Sequence, residues 1–373
     1  MERILRLAQE FVAKEVLPNA GAWEAERRMA DQEIRAAIRC GLGSLLVPQD
    51  KGGHGLSIRG AASVLEILAA ADFPFAFSLE VHNGMAGALA TRGSPDQVKR
   101  YLSAIVDGSI LVSFCLTEPQ SGSDATSVKT TARREGNRWV LNGTKAWVTS
   151  AHAADLFCVN AQTNPSAGPA GVAGFLVERT ALGLSVGPPY ELIGCHSMGL
   201  ADVHLNDCVV EDGAIYAPPG QGFREAMAGI DQARVFVAAM CCGMLKASLE
   251  EAIGYASRRV AFGKAIMEFQ GVQWMLSEIA TDLHAGRLMA YHAADRIDAQ
   301  QRGTVEAAHA KKFATRVALQ GVAQCMQAMG ATALRAGTAI SRHFAAAKAA
   351  QFLDGTTEIQ NIVIARSLSA KST

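Results

Sequence analysis

The period of the apolar residues changes twice along the chain, and these two changes restrict the fold more than any single motif. From residue 1 to about 110 the spacing is close to 3.6, as in "IRGAASVLEILAAA" and "DQVKRYLSAIVDG", with glycine breaks at "KGGHG" and near Asn83-Gly84. From about 113 to 215 it shortens toward two. There "NRWVLNGTKAWVTS" reads as two β-prone runs meeting at Asn142-Gly143, a dipeptide that tolerates the positive φ of tight hairpins. "DLFCVNAQT", "GVAGFLVERT" and "LADVHLNDCVV" read as further short strands, punctuated by Pro188-Pro189 and Pro218-Pro219. After "PPGQGF" the spacing is helical again, over roughly 222–255, 270–301, 304–330 and 335–352. Like elements grouped together, rather than alternating βα units, argue against a parallel doubly wound sheet. They predict an α+β, mainly α chain: an N-terminal α-helical domain (1–112), a middle β-domain (113–218) and a C-terminal helical bundle (219–373).

Charge and cysteine usage narrow the function classes. Lys plus Arg (35) equals Asp plus Glu (35), so no basic field invites a nucleic-acid backbone. The longest strongly apolar run, "VFVAAMCCGML", is 11 residues between Arg234 and Lys246, too short to span a bilayer, and predicts a buried helix without membrane insertion. In "MERILRLAQEFVAKEVLP" Ile4, Leu7, Phe11 and Val12 share a helical face between charges, unlike the continuous apolar stretch of a signal peptide. Eight scattered cysteines without a Cys-x-x-Cys pair fit neither a disulfide framework nor a zinc site. A cytoplasmic protein with free thiols is the expectation.

Gly-x-Gly-x-x-Gly after a strand, a phosphate-cradling Gly-x-x-x-x-Gly-Lys-Ser/Thr, a Gly-x-Ser-x-Gly elbow and His-Glu-x-x-His are all missing. The nine histidines show no paired ligand spacing, so no metal is expected. Polar clustering in the β-domain remains. "CLTEPQSGSDAT" (115–126) can turn the backbone while offering N–H and O–H donors, and "KAWVTS" sets Trp147 and Thr149 two residues apart, on one face of a regular strand. Together they could hold a flat, hydrogen-bonding ring. Each segment alone is equally well read as a loop cap and a core tryptophan.

"LTEPQSGSD", "NGTKAWVTSAHAAD", "SRRVAFGKAIMEFQ" and "FLDGTTEIQ", in this order and at these separations, resemble the acyl-CoA dehydrogenase family over nearly the whole chain. The resemblance implies an α-domain, a β-domain and a C-terminal four-helix bundle. It also implies FAD held between the last two, and α,β-dehydrogenation of an acyl-CoA thioester with electrons passed to an electron-transfer protein or other acceptor. It places Phe114, Leu116 and Thr117 along the flavin ring, Ser123 against flavin or ligand phosphate, and Trp147 with Thr149 over the ring, the threonine reaching N5. Arg259, Phe262 and Gln270 match positions that bind the FAD pyrophosphate and adenosine of a neighbouring subunit, which implies an oligomer, usually a homotetramer.

In most of the family the turn before the last helix reads Glu-Gly-Thr and its Glu is the catalytic base. Here it reads Asp354-Gly355-Thr356. The resemblance thus makes Asp354 the base, with its N–H on the thioester carbonyl, Gly355 against the substrate and Thr356 against the cofactor. Asp is about 1.5 Å shorter than Glu, a difference large enough to matter to proton transfer. Asp at this position resembles both the alicyclic acyl-CoA dehydrogenases, such as those acting on cyclohexanecarboxyl-CoA, and the related nitroalkane oxidases; the first group sets the expectation here, an alicyclic or short, branched acyl group. One branch carries its base just before an arginine on a helix; in "DQAR" that place is Ala233, before Arg234, and Asp231 is a weak substitute. The resemblance also counts Arg234 among the substrate-binding residues. Gln327-Ala328 replaces a usual Gly-Gly, and "FAAAK" lacks a common Arg-Asp. Glu80 aligns with the floor of the acyl pocket, and the bulk of Phe75, Phe77 and Leu79 beside it suggests a short one. Two other readings stay open: an acyl group carried on a carrier-protein phosphopantetheine, and a flavin-free binding or structural family member.

Overall fold

The chain, seen in a computed structural model, is described over residues 1–369. Its N-terminal part is helical: α1 (Glu2–Phe11), α2 (Ala20–Ala25), α3 (Asp31–Ala37), α4 (Ile58–Ala71), α5 (Phe73–Arg92), α6 (Pro95–Gln97) and α7 (Ser103–Val106). α1 buries Ile4, Ala8 and Phe11, with Leu7 and Val12 packed at the edge of the same core. Asp72 separates α4 from α5 and locks the three parts of the chain together. Its carboxylate caps α5 at the Phe75 N–H (3.0 Å) and accepts from Ser197 Oγ of the β-domain (2.8 Å) and from Arg342 Nε of the C-terminal helices (3.3 Å).

The middle part contains β1 (Val112–Cys115), β2 (Thr131–Glu135), β3 (Arg138–Val148), β4 (Leu156–Gln162), β5 (Val172–Glu178), β6 (Leu184–Val186), β7 (Ala201–Glu211) and β8 (Ile215–Ala217). The order β6-β7-β3-β2-β4-β5-β8 is mainly antiparallel, and β1 joins it by pairing parallel to β4. The Asn142-Gly143 hairpin expected from sequence does not form. β3 continues through it, and the β2–β3 turn is made six residues earlier by Gly136-Asn137, with Gly136 at φ 63°. Gly143 serves a bulge against β7: its φ is 150°, and a Cβ there would lie 2.6 Å from Thr130 Oγ1 and 2.8 Å from Thr130 Cα. Asn142 exchanges hydrogen bonds with Asp207 instead of turning the chain.

A buried ion pair fixes the polar loop that follows β1. Lys145 Nζ donates to Glu118 Oε1 (2.7 Å) and to the Leu116 carbonyl (3.0 Å), both side chains being sealed from solvent. The same carboxylate accepts from the Lys129 and Thr130 N–H groups at 2.8 and 2.9 Å, so the ends of the loop are tied to one group. Glu118→Gln would leave the ammonium buried without its counter-charge, and a loss of about 3–5 kcal/mol is expected. Urea unfolding checks this; a midpoint equal to that of the unsubstituted protein would count against it.

The C-terminal part is a bundle of α8 (Gly222–Arg258), α9 (Gln270–Asp298), α10 (Thr304–Met329) and α11 (Ala339–Ala350), extended by α12 (Thr357–Ser369). A small hairpin of β9 (Val260–Ala261) and β10 (Lys264–Ala265) joins α8 to α9. By length and composition α8 is the one helix among the described residues that could cross a membrane. Every residue from Ala233 to Leu245 is nevertheless buried, as the apolar run predicts for a core helix packed on α4, α9 and α10. Gly243 allows the closest approach: a Cβ there would fall 2.0 Å from the Glu66 carbonyl of α4.

Candidate active site

The turn between α11 and α12 is built from backbone carbonyls held by buried side chains. Lys311 Nζ, from α10, donates to the Gln351 carbonyl (2.9 Å) and the Gly355 carbonyl (2.8 Å). Arg234 Nε, from α8, donates to the Asp354 carbonyl (3.0 Å), and Gln360 Nε2 of α12 reaches the Asp354 and Gly355 carbonyls at 3.3 and 2.9 Å. Left-handed backbone follows from this folding back, with Asp354 at φ 49° and Gly355 at φ 92°. Space at Gly355 is tight as well, because a Cβ would lie 3.1 Å from Gln360 Nε2 and 3.3 Å from Arg234 Nη2. Thr356 immediately precedes α12, its carbonyl accepting from the Gln360 N–H.

Asp354 lines a cavity of about 300 Å³ bordered by the N-terminal helices, the start of the β-domain and α8. Glu80, Met85, Phe114, Ile230 and Phe236 are among its other walls. Asp354 Oδ2 is shut off from solvent and has no hydrogen-bond partner. Burial pushes this carboxyl up to about 6, against the pull of the Lys311 and Arg234 cations. Glu80 is held well above the usual carboxylate range, first by burial and then by the charge of Asp354. Burial brings the Lys311 ammonium down to about 8, with Asp354 opposing. The site therefore contains two interacting carboxyl groups, one poised to lose its proton near neutrality and the other retaining it.

The residues expected from sequence divide into three groups. Asp354, Glu80 and Phe114 line one cavity. Leu116, Thr117, Ser123, Trp147 and Thr149 lie on the β-domain beyond Phe114: Ser123 is exposed on the loop, and the Thr117 carbonyl accepts from the Ala146 N–H (2.9 Å). Arg259, Phe262 and Gln270 are exposed on and beside the β9–β10 hairpin, outside the cavity, with Phe262 at 96% exposure.

Three expectations need correction. Trp147 and Thr149 do not share a strand face. β3 is irregular between Lys145 and Val148, Trp147 has φ 58° and is 57% exposed, and Thr149 is buried beyond the end of the strand. Arg234 is not among the substrate-facing side chains: it is buried beneath the turn, committed to the Asp354 carbonyl and to Asp231 Oδ1 (2.8 Å). The aromatic neighbours of Glu80 do not shorten the pocket either, since Phe75 stacks on Trp23 and Phe11, and Phe73 on Phe77, away from the lining. Of the alternative base positions, Ala233 does face the cavity with only a methyl group, and Asp231 is engaged by Arg234 and Thr304.

Comparison with known proteins accords with this architecture. The acyl-CoA dehydrogenase N-terminal, middle and C-terminal domain families match residues 1–109, 113–208 and 220–369. The chain is 31% identical over 365 residues to the mitochondrial short-chain specific acyl-CoA dehydrogenase of Homo sapiens, covering 98% of this chain and 89% of that protein. Among solved structures it superposes on butyryl-CoA dehydrogenase from Megasphaera elsdenii with a TM-score of 0.95 at 28% identity, covering 98% and 97% of the two chains. The prolyl acyl carrier protein oxidase AnaB gives a TM-score of 0.93 at 28% identity, with 98% of each chain covered. The chain belongs to the acyl-CoA dehydrogenase family of FAD-dependent oxidoreductases.

Proposed function

We propose that this protein removes the α-proton of a compact acyl thioester with Asp354 while hydride leaves the β-carbon, giving the α,β-enoyl thioester. The observation that carries the reading is that Asp354, whose Oδ2 is buried without a hydrogen-bond partner, borders a cavity of about 300 Å³. A carboxylate freed of hydrogen bonds and pushed up toward neutrality is a stronger base than one in water. The backbone turn, held by Lys311, Arg234 and Gln360, fixes its direction. The Asp354 N–H donates to the thioester carbonyl and stabilises the enolate-like charge as the proton leaves. Ala233 puts no carboxylate at the position before Arg234, and the cavity suits a short, branched or alicyclic acyl group.

The residues present fit FAD. Trp147 leaves most of its indole exposed beside a loop rich in hydroxyl and amide donors, and Tyr190 braces that indole from its edge at 4.5 Å between ring centroids. A flat aromatic group set against Trp147, Thr149, Leu116 and Thr117 would border the cavity at Phe114, with Ser123 and Thr356 offering hydroxyls at its margins. FAD, when bound there, supplies the two-electron acceptor for the departing hydride and hands the electrons to an external acceptor. Arg259, Phe262 and Gln270, exposed together near Trp274 (65% exposed), suit the nucleotide end of a cofactor in a neighbouring copy, as in a homotetramer. The AnaB likeness supports a second reading, in which the thioester is carried by a carrier protein. Comparable rates on free CoA thioesters would argue against it.

The test is the pH dependence of anaerobic flavin bleaching by cyclohexanecarboxyl-CoA and butyryl-CoA. Asp354 must be ionised to accept the proton, and its carboxyl is raised to about 6 among Glu80 from α5, Arg234 from α8 and Lys311 from α10. The rate is therefore expected to climb about tenfold per pH unit below 6 and to level above 7. A rate independent of pH from 5 to 8 would remove Asp354 from the role.

A further inference from the structure

β3 pairs with β7 up to Lys145, opposite Val203, and again at Val148, opposite Ala201. Between these points two residues of β3, Ala146 and Trp147, stand against one residue of β7, Asp202, which is the arrangement of a β-bulge. The bulge gives Trp147 a φ of 58° and leaves its indole exposed. Left-handed backbone is costly for a bulky aromatic residue, so a partner outside the strand has to hold it there. The Ala146 N–H goes to the Thr117 carbonyl (2.9 Å). The Trp147 N–H donates to the Tyr190 hydroxyl (3.2 Å), and that hydroxyl donates in turn to Asp202 Oδ1, on the residue opposite the bulge.

The segment that carries Tyr190 is fastened to the same stretch of β7. The Tyr190 N–H donates to the Leu200 carbonyl and the Gly187 N–H to the Asp202 carbonyl, both at 2.9 Å, and the phenol ring meets the indole edge-on at 62°. Burial and the bond to Asp202 push the phenol up to about 12, so it keeps its proton and the chain of hydrogen bonds runs one way, from Trp147 through Tyr190 to Asp202. Tyr190 is outside the cavity that Asp354 lines. We propose that Tyr190, oriented by Asp202, is a positioning residue that holds Trp147 in its left-handed conformation and so presents the indole to FAD. This rests on the reading of Trp147 as part of the FAD site. Without the phenol the bulged peptide is free to relax toward extended backbone, which would carry the indole away from that face.

The test is fluorescence and FAD affinity rather than turnover, because an indole in contact with an isoalloxazine quenches its emission. Tyr190→Ala is expected to brighten the bound flavin and to raise the FAD dissociation constant about tenfold, the order of one hydrogen bond plus one aromatic contact. Tyr190→Phe keeps the edge contact and removes the acceptor of the Trp147 N–H, so it should fall between the alanine variant and the unsubstituted protein; it also carries the test if the alanine variant does not fold. Asp202→Asn still offers the phenol an oxygen and should stay near the unsubstituted protein, whereas Asp202→Ala should resemble Tyr190→Phe. Trp147→Leu separates the two levels of the argument. If it changes emission and affinity while both Tyr190 variants change neither, the role of Tyr190 is overturned and the FAD site stands; if none of these variants changes either quantity, both fall. Weaker FAD binding with the quenching intact would make Tyr190 a support for the loop alone and overturn the proposal as well.

Discussion

Asp354→Asn is expected to bind FAD as the unsubstituted protein does and to lose flavin reduction by acyl thioesters by a factor of about 10²–10⁴. The amide has nearly the shape of the carboxylate but cannot accept the α-proton. The turn around it does not depend on the side chain: the Asp354 carbonyl is held by Arg234 and Gln360, and the Gly355 carbonyl by Lys311 and Gln360. Because Asp354 Oδ2 has no partner to lose, the substitution breaks no bond at that oxygen, and a change in stability below about 1 kcal/mol is expected. Stopped-flow reduction and visible absorbance separate the two effects. A variant that stayed yellow and was bleached at the original rate would require another base. Ala233 and the engaged Asp231 leave none on the same stretch of α8.

How far the sequence foresees this site depends on the range of the forces involved. The three-part organisation is written in the period of the apolar residues, and burial of the 235–245 segment follows from its composition alone. The Asp-Gly-Thr turn is legible because a positive φ demands a special residue and glycine marks the place. Local rules mislead where tertiary packing reassigns the same residues. Asn142-Gly143 has the chemistry of a hairpin turn, yet the space beside Thr130 makes Gly143 a bulge and leaves the turn to Gly136-Asn137. Trp147 alternates as a strand residue should, until the irregularity after Lys145 swings it outward.

The residues that sequence reading missed act across long separations. Lys145 and Glu118 are 27 positions apart, and each is of a type that ordinarily faces solvent. Lys311 lies in a Lys-Lys pair on an amphipathic helix, where the neighbouring Lys312 is a near-equivalent reading of the pattern; its partner carbonyls are 40 and 44 residues away. Gln360 was visible inside "TEIQ" as part of a motif, but nothing in the motif says that its amide closes the turn that precedes it. A buried lysine is foreseeable only once the carbonyls it serves have been brought to it.

Lys311 therefore carries the prediction that most directly tests the construction of the turn. Lys311→Met keeps the length and apolar stem of the side chain and removes the ammonium. The Gln351 carbonyl loses its ammonium donor and the Gly355 carbonyl keeps only Gln360, at about 1.5–3 kcal/mol per charge-assisted bond, while relief of the desolvated charge offsets part of the loss. A net destabilisation of about 1–3 kcal/mol is expected on that balance. The kinetic consequence is more specific than the stability one. Lys311 is the larger of the two cationic influences that draw the Asp354 carboxyl down against burial, so its removal raises that carboxyl above 6. The pH midpoint of flavin reduction should move to the alkaline side, with the loss of rate greater at pH 6.5 than at pH 8.5. Lys311→Arg retains the charge and should keep the acid midpoint even if the bulkier guanidinium slows the reaction. A uniform fall in rate at every pH, with the midpoint unmoved in Lys311→Met, would make Lys311 a prop for the turn alone and assign the tuning of the base to Arg234.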